Sequence, residues 1–230
     1  MGRERATEPT FVHPFPGPCL MTTTVPDEVM AALRKVTGGV LAGRAPQVDW
    51  SHQLAGEISE GDQYLLFHFD PNTAQPGDED WGGARELYLD FLRETAVAYA
   101  TELVERGDHP RANMAWRRGH IAADPYDSWL VRSRAGDYNP LHDHGQFVSG
   151  VLYLKVPEQV NAETAPAGCI DFVDRTTSFP LMLNFNPTYR VVPVEGLVIV
   201  FPSWLQHAAH PFRGEGERHS VSFNLTLRPV

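Results

Sequence analysis

Past residue 110 the sequence changes its hydrophobic period, and this change restricts the fold more than any other feature. Short runs of β-branched and aromatic residues alternate with Gly, Pro and Asp turns, at the spacing of an antiparallel sandwich or barrel. The predicted strands are 113–118, 129–134, 147–156, 169–173, 189–192, 197–201 and 219–228. We therefore expect a mainly β fold, a sandwich or barrel flanked by N-terminal helices.

The part of the chain before residue 110 supplies the predicted helices. Four prolines in the first 23 residues indicate an extended lead-in that lies on the body of the protein. A helix start is predicted at Thr24, which serves as the cap, with an end near Val36 before Gly38-Gly39. Apolar residues at helical spacing predict a stronger second helix over 84–106.

Two segments between these helices carry weaker signals. The apolar run 63–68 is compatible with helix or strand, and 70–83 is a loop by its content of Pro, Gly and acidic residues. With no internal repeat, we expect one domain over 1–230, in which 1–110 supports a β core formed by 111–230.

Composition excludes several classes of protein. With 42% hydrophobic and 21% charged residues the chain is long enough and apolar enough to fold. Its net charge of −10 argues against nucleic acid as a partner. The first residues lack the apolar stretch of a signal peptide and no apolar run is long enough to span a membrane, so we expect neither a leader nor a membrane span. Cys19 and Cys169 match no disulfide pattern, so we expect reduced thiols and a cytoplasmic location.

Among ten histidines, His142 and His144 stand out because they are two residues apart at a predicted strand entry. Side chains at this spacing project to the same side of a strand. Two imidazoles on one strand face can hold Fe, Zn, Cu or Ni, and a third ligand from a neighbouring strand would complete the set. His207, at the end of an apolar strand and a Pro turn, is the candidate third ligand, with His210 as its competitor.

The last predicted strand has one polar and one apolar face. Its alternation places Arg218, Ser220, Ser222 and Asn224 on the same side. That face either meets solvent, which is the commoner arrangement for such a sheet, or lines a cavity. In the second case Arg218 and Ser220 would suit a dicarboxylate, because a guanidinium pairs with a carboxylate through two hydrogen bonds.

Three stretches of the sequence resemble the 2-oxoglutarate and Fe(II)-dependent oxygenases, which are built on the double-stranded β-helix. The first comprises Ser128-Trp129, Gly-Asp-Tyr-Asn-Pro-Leu-His-Asp-His (136–144) and Val-Ser-Gly-Val-Leu-Tyr-Leu (148–154). The second is Gly-Cys-Ile-Asp-Phe-Val-Asp-Arg (168–175). The third comprises Pro-Val-Glu-Gly (193–196), Phe-Pro-Ser-Trp-Leu-Gln-His (201–207) and Glu-Arg-His-Ser-Val-Ser-Phe-Asn (217–224).

The resemblance implies a jelly-roll or cupin-like barrel and a hydroxylase that uses Fe(II), 2-oxoglutarate and O₂. Its implied iron ligands are His142, His144 and His207. Its implied binding residues for 2-oxoglutarate are Arg218 and Ser220, to which we add Tyr153. Tyr153 is also expected in the pocket wall, together with Trp129 and Trp204, although each of these aromatic residues could equally be part of an ordinary core.

One position departs from the pattern of the wider superfamily. The usual motif is His-x-Asp/Glu followed by a distant His, whereas residue 144 is His. A third neutral imidazole leaves the metal site one charge unit more positive than a carboxylate would. This difference bears on the redox chemistry of the site and not on its ability to bind a metal ion.

Two other functions remain open from the sequence. A cupin-like enzyme with three histidines would need metal but no 2-oxoglutarate; against it, no Glu follows His144 at the cupin spacing, and Trp204 stands where the cupin motif has Gly. A binding protein without enzymatic activity is the other alternative. The substrate, a small molecule or a side chain, and the oligomeric state are not readable from the sequence.

Overall fold

The computed structural model describes residues 8–12, 19–45, 47–51, 62–68, 83–106, 121–174 and 188–230. In these ranges the chain forms two helices, α1 (Asp27–Leu41) and α2 (Ala84–Arg106). The strands in the same ranges are β1 (Thr10–Val12), β2 (Leu20–Thr24), β3 (Gln63–His68), β4 (Ile121–Ser133), β5 (Asn139–His142), β6 (Val148–Lys155), β7 (Ile170–Val173), β8 (Thr188–Val191), β9 (Leu197–Pro202), β10 (Gln206–Ala209) and β11 (Arg218–Pro229). The mainly β class predicted from the sequence is confirmed.

The described strands form two antiparallel sheets. The larger has the order β1-β2-β9-β6-β11-β4-β3, and the smaller has the order β5-β10-β7-β8. Side chains of both sheets meet in a buried apolar cluster that includes Tyr153 and Phe201 from the larger sheet and Ile170 and Phe172 from the smaller one. The sheets are thus held together by apolar burial, and inward-facing polar residues lie beside this cluster.

The helices cover the other face of the larger sheet. Leu33 of α1 and Leu92 of α2 belong to one buried cluster with Leu130 and Leu152 of the sheet. The hydroxyl of Tyr99 donates a hydrogen bond of 2.8 Å to the carbonyl oxygen of Cys19, which ties α2 to the chain just before β2. The bounds of α2 agree with the prediction. No helix in the described ranges is long and apolar enough to cross a membrane.

The N-terminal segment enters the larger sheet instead of only lying on it. β2 pairs with β9 in antiparallel register, from Met21 opposite Val200 to Thr24 opposite Leu197. Thr24 is therefore a strand residue, and the prediction that it caps the first helix is wrong. The backbone of Thr24 pairs with β9, and α1 begins after Pro26 with no side-chain cap.

Helix α1 is longer than predicted because it continues through Gly38-Gly39 to Leu41. Two glycines disfavour a helix by about 1 kcal/mol each. Val40 lies beyond them and is 4% exposed, so its burial against the core offsets part of that cost. Thr37 also supports the helix, since its hydroxyl donates a 2.7 Å hydrogen bond to the carbonyl oxygen of Leu33.

The strand predictions hold from β6 onward and miss several shorter elements. The ambiguous run 63–68 is β3, at the edge of the larger sheet. β4 begins at Ile121, well before the predicted start, because its ladder with β11 continues past Pro125 through an irregularity in register. The strands β5 (Asn-Pro-Leu-His) and β10 (Gln-His-Ala-Ala) were missed because they contain no β-branched residue and no Phe, Tyr or Trp, unlike β7 and β8 of the same length. The predicted strand 113–118 and nearly all of the loop 70–83 lie outside the described residues.

Gly150 occupies the centre of the larger sheet, where no larger residue fits. It lies directly opposite Phe223 in the ladder between β6 and β11. A Cβ atom here would meet the Phe223 ring, and it would lie 2.7 Å from the carbonyl oxygen of Ile199. Glycine therefore lets the aromatic ring lie across the strand at the floor of the cavity that Gly150 helps to line.

We expect Gly150→Ala to lower the free energy of unfolding by about 1–3 kcal/mol, because the added methyl group overpacks the sheet. Gly38→Ala is the control, since a Cβ atom there has nothing within 4 Å. Because Gly38 lies inside a helix, this change should raise the free energy of unfolding by about 0.5–1 kcal/mol. Urea unfolding of both variants measures the two effects. Equal stability of Gly150→Ala and the parent protein would contradict this packing.

Candidate metal centre

Three histidines converge where β5 and β10 pair. His142 ends β5, His144 follows two residues later, and His207 lies in β10 directly opposite His142 in the ladder. The imidazole centroids are 4.2 Å apart for His142 and His207, and 5.1 Å apart for each of the other two pairs. One nitrogen from each ring lies within 4.8 Å of the others. The structure thus brings together all three predicted metal ligands.

Backbone hydrogen bonds orient two of the rings. Nδ1 of His142 lies 2.7 Å from the carbonyl oxygen of Pro140, and Nδ1 of His207 lies 3.0 Å from that of Leu205. Because a carbonyl oxygen only accepts, both Nδ1 atoms carry the proton and both Nε2 atoms keep a lone pair. These contacts are the outer partners that metal-binding imidazoles ordinarily have.

Burial keeps the three imidazoles neutral. It lowers the pKa of His144 to about 4, with His142 as the second cause. Burial also lowers the pKa of His142 and that of His207, the latter well below its ordinary value. A neutral imidazole is the form that binds a metal ion. The set fits a divalent first-row transition metal, for which imidazole nitrogen is a preferred ligand.

Within the described residues, no carboxylate joins the triad. Asp143 lies between His142 and His144 in sequence, but its side chain is exposed and receives a long hydrogen bond of 3.4 Å from Gln206. His210, the competitor for third ligand, has Nε2 2.8 Å from Oδ2 of Asp171 and is not in the cluster.

A cavity of about 400 Å³ extends from the triad between the two sheets. Arg218, Ser220 and Tyr153 line it and are 5%, 7% and 3% exposed. Ser220 lies opposite Tyr153 in the ladder between β11 and β6. The polar face of the last strand therefore lines a cavity as far as Asn224, and the solvent-facing alternative is wrong for that part. Only its end, at Arg228, meets solvent.

The Arg218 guanidinium is buried without a carboxylate partner among the described residues. Nη1 donates to the carbonyl oxygen of Gly168 at 2.7 Å, and Nη2 has a weak contact of 3.4 Å with Oγ of Ser133. Nε has no partner. Burial lowers the pKa of Arg218, yet an arginine keeps its charge in proteins. An unpaired buried donor is costly, so this end of the cavity fits an anionic ligand.

Tyr153 adds a neutral hydroxyl beside that cation. Burial raises the pKa of Tyr153 to about 12, and the positive charge of Arg218 partly opposes the shift. At neutral pH the phenol is protonated and can donate a hydrogen bond. The three residues predicted to bind 2-oxoglutarate thus lie in one closed part of the cavity.

The aromatic residues predicted as pocket walls divide into two groups. Trp129 and Tyr153 line the cavity, and the Trp129 ring centroid is 6.1 Å from that of His144. Trp204 does not line it and is 53% exposed, so its assignment to the wall is wrong. It lies in the turn between β9 and β10, where Ser203 points inward and Trp204 outward.

A chain of buried polar groups near the triad was missed by sequence reasoning. Ser203 and Ser149 hydroxyls are 2.8 Å apart, and the Ser149 hydroxyl donates to Oδ1 of Asn224 at 2.7 Å. Asn224 donates to Oδ1 of Asp127 at 2.8 Å. The carbonyl oxygen of Ser203 accepts the backbone N–H of His144 at 2.9 Å. Only the polar face of β11 gave a sequence signal for this chain, at Asn224.

Asp127 ends the polar chain inside the cavity. Burial raises the pKa of its carboxyl to about 6, against opposing effects of Asn224 and His68. The carboxylate is therefore mostly ionised at neutral pH. Trp50 and Gln63 also line the cavity and had no functional signal in the sequence.

Comparison with known proteins finds a family model that matches part of the chain. Residues 127–224 match the family model described as "Putative 2OG-Fe(II) oxygenase". None of the curated proteins matches the chain in sequence.

Solved structures share the fold at low identity. An oxidoreductase of the 2OG-Fe(II) oxygenase family from Burkholderia pseudomallei has a TM-score of 0.53 and 12% identity, over 89% of this chain and 84% of that one. A prolyl hydroxylase from Trichoplax adhaerens, solved with a hypoxia-inducible-factor peptide, has a TM-score of 0.52 and 13% identity, over 91% and 83%. A Pseudomonas putida prolyl-4-hydroxylase has a TM-score of 0.50 and 17% identity, over 90% and 91%.

These comparisons confirm the resemblance to 2-oxoglutarate/Fe(II) oxygenases. The chain has their double-stranded β-helix, and residues 127–224 carry their sequence pattern. That family implies Fe(II) and 2-oxoglutarate, and the histidine triad can hold the metal.

We expect His207→Ala to abolish stoichiometric binding of Fe(II), because two imidazoles remain where three converge. His210→Ala is the matched control on the same segment, since His210 bonds to Asp171 instead. Metal content after anaerobic loading and desalting measures both variants. Retention of the parent metal content by His207→Ala would contradict the assignment.

Proposed function

We propose that this chain, with the fold and the sequence pattern of the 2-oxoglutarate/Fe(II) oxygenases, is a hydroxylase that acts at the described cavity. His142, His144 and His207 hold the metal, and Arg218 with its neighbours binds the far carboxylate of 2-oxoglutarate. The observation that carries the proposal is the buried Arg218 guanidinium, which lines the same cavity as the triad and has an unpaired Nε. A dicarboxylic keto acid fits a cavity that has a buried cation at one end and a metal site farther along it.

The chain's residues act mainly by position and protonation state. Neutral imidazoles are ready to bind the metal at neutral pH, and strand pairing holds His142 and His207 together before any ligand arrives. The hydrogen bond from the backbone N–H of His144 to the carbonyl oxygen of Ser203 fixes the backbone position of the third ligand. When bound, Fe(II) and 2-oxoglutarate supply the oxidising chemistry, in which O₂ hydroxylates the substrate and the keto acid becomes succinate and CO₂.

The Arg218 guanidinium has two nitrogens available to bind a carboxylate. Nη1 already donates to Gly168, so Nε and the weakly bonded Nη2 remain for the cosubstrate. These two nitrogens form one side of the planar fork, which pairs with both oxygens of a carboxylate. The hydroxyls of Ser220 and Tyr153 add neutral donors. Burial excludes water and strengthens each of these bonds.

A second function has one observation in its favour. All three candidate ligands are neutral imidazoles, a set also suited to a cupin-like metalloenzyme that needs no 2-oxoglutarate. Such an enzyme would have no use for the buried cation at Arg218. The oxygenase proposal accounts for both the metal site and the buried cation and is therefore preferred.

We also propose a cytoplasmic location. Cys19 and Cys169 are free and buried, which is typical of proteins from a reducing compartment.

The proposal predicts that Arg218→Met raises the dissociation constant for 2-oxoglutarate about 10- to 100-fold, since charge-assisted hydrogen bonds contribute about 1.5–3 kcal/mol. Arg228→Met, at the exposed end of the same strand, is the control and should leave the affinity within about twofold. Calorimetric titration of the Mn(II)-loaded proteins measures both, and metal content should be unchanged. Parent-like affinity in Arg218→Met would refute the assigned binding site.

A further inference from the structure

The ladder between β4 and β11 sets the order of groups along the cavity. Ser133 pairs with Arg218, Val131 with Ser220, Trp129 with Ser222, and Asp127 with Asn224, and all eight residues line the cavity. Successive inward pairs are about 6.6 Å apart, from a rise of about 3.3 Å per residue.

His144 of the triad lies beside Trp129, with the two ring centroids 6.1 Å apart. Counted in inward pairs from Trp129, Arg218 is two pairs away in one direction and Asp127 is one pair away in the other. With 2-oxoglutarate between Arg218 and the metal, the space beside Asp127 is left for the substrate. This assignment rests on the proposed function.

Asp127 is a buried carboxylate, and one of its oxygens accepts no hydrogen bond from the described residues. It is 7% exposed, Oδ1 accepts from Asn224, and no described residue donates a hydrogen bond to Oδ2. Between Asp127 and His68 there is electrostatic attraction but no hydrogen bond, and the His68 ring lies against Trp50 and Tyr126. A carboxylate this buried, without an ion pair in the described part of the chain, favours a cationic ligand.

The walls around Asp127 suit the same kind of ligand. The indoles of Trp50 and Trp129 line the cavity, and tryptophan is the side chain whose ring face best attracts a cation. Gln63 lies farther along the cavity, opposite Val131 in the ladder between β3 and β4, and its unpaired Nε2 can donate to an acceptor on a bound molecule. The net charge of the whole chain, −10, also attracts cations to the cavity.

We infer that the substrate is an organic cation, whose ammonium or guanidinium group pairs with Asp127 beside Trp50 and Trp129. In the balanced reaction, a C–H bond of this molecule becomes C–OH with one oxygen atom of O₂. The other oxygen atom enters succinate as 2-oxoglutarate loses CO₂. The cation belongs either to a free amine or to a Lys or Arg side chain of a polypeptide.

The test compares charged probes with neutral ones of similar shape on the protein loaded with Mn(II) and 2-oxoglutarate. The pairs are pentylamine with pentanol, pentylguanidine with pentylurea, and capped peptides containing Lys or Arg with the same peptides containing norleucine or citrulline. In each pair only the first molecule carries an ammonium or guanidinium group. We expect at least one cation to bind tenfold or more tightly than its neutral partner, as measured by calorimetry. Tighter binding of a small molecule or of a peptide identifies the source of the cation.

Asp127→Asn should abolish this preference while leaving the affinity for 2-oxoglutarate within twofold, which also shows that the variant is folded. Asp124→Asn, on the same strand but paired with Arg228 at the surface, should keep the preference. Equal binding of cations and neutral partners in every pair, or a preference retained in Asp127→Asn, would overturn the inference. Failure of the parent protein to bind 2-oxoglutarate would instead overturn the proposed function, and the same pairs tested with Mn(II) alone would still decide the cation site.

Discussion

The antiparallel pairing of β11 with β4 on one side and β6 on the other is the interaction on which the cavity depends. This register turns Arg218, Ser220 and Asn224 inward together and sets Tyr153 and Asp127 beside them. A slip by one residue would turn these side chains out and bring apolar ones in. The apolar face of β11 prevents that slip, because it is buried against the helices on the far side of the sheet.

The metal site depends on a second, smaller pairing. β5 and β10 are short, yet their ladder sets His142 opposite His207, and the adjoining turn of Ser203 holds His144. With three neutral ligands, a bound divalent ion keeps its full positive charge. Such a site favours a doubly charged anion as cosubstrate, which agrees with a carboxylate-binding end at Arg218.

Local patterns were sufficient to predict several features of this protein. The helical spacing gave α2, and strand alternation gave the shared side of Arg218 and Ser220. The two-residue spacing indicated His142 and His144 as ligands, but the predicted strand entry is wrong, because β5 ends at His142 and His144 lies beyond it. The resemblance linked His207 to the pair. Each of these predictions needs only the chemistry of neighbouring positions or of a known motif.

Other features depend on contacts between distant parts of the chain, which no local pattern encodes. The hydrogen bonds that join Asp127 and Ser149 through Asn224 depend on the register of three strands that are distant in sequence. The long-range pairing of β2 with β9 places Thr24 in a strand, and burial of Val40 supports the continuation of α1 past its glycines. The direction of the Trp204 side chain likewise depends on its turn, which turns the indole outward, away from the predicted pocket wall.

The central claim is that the histidine triad and Arg218 bind one metal ion and one molecule of 2-oxoglutarate together. The most direct measurement is an anaerobic titration of the Fe(II)-loaded chain with 2-oxoglutarate, followed by visible absorbance. The account predicts a weak, saturable metal-to-ligand charge-transfer band, which reports chelation of the keto acid. Stoichiometric iron without such a band would contradict the account and favour a three-histidine enzyme that works without 2-oxoglutarate.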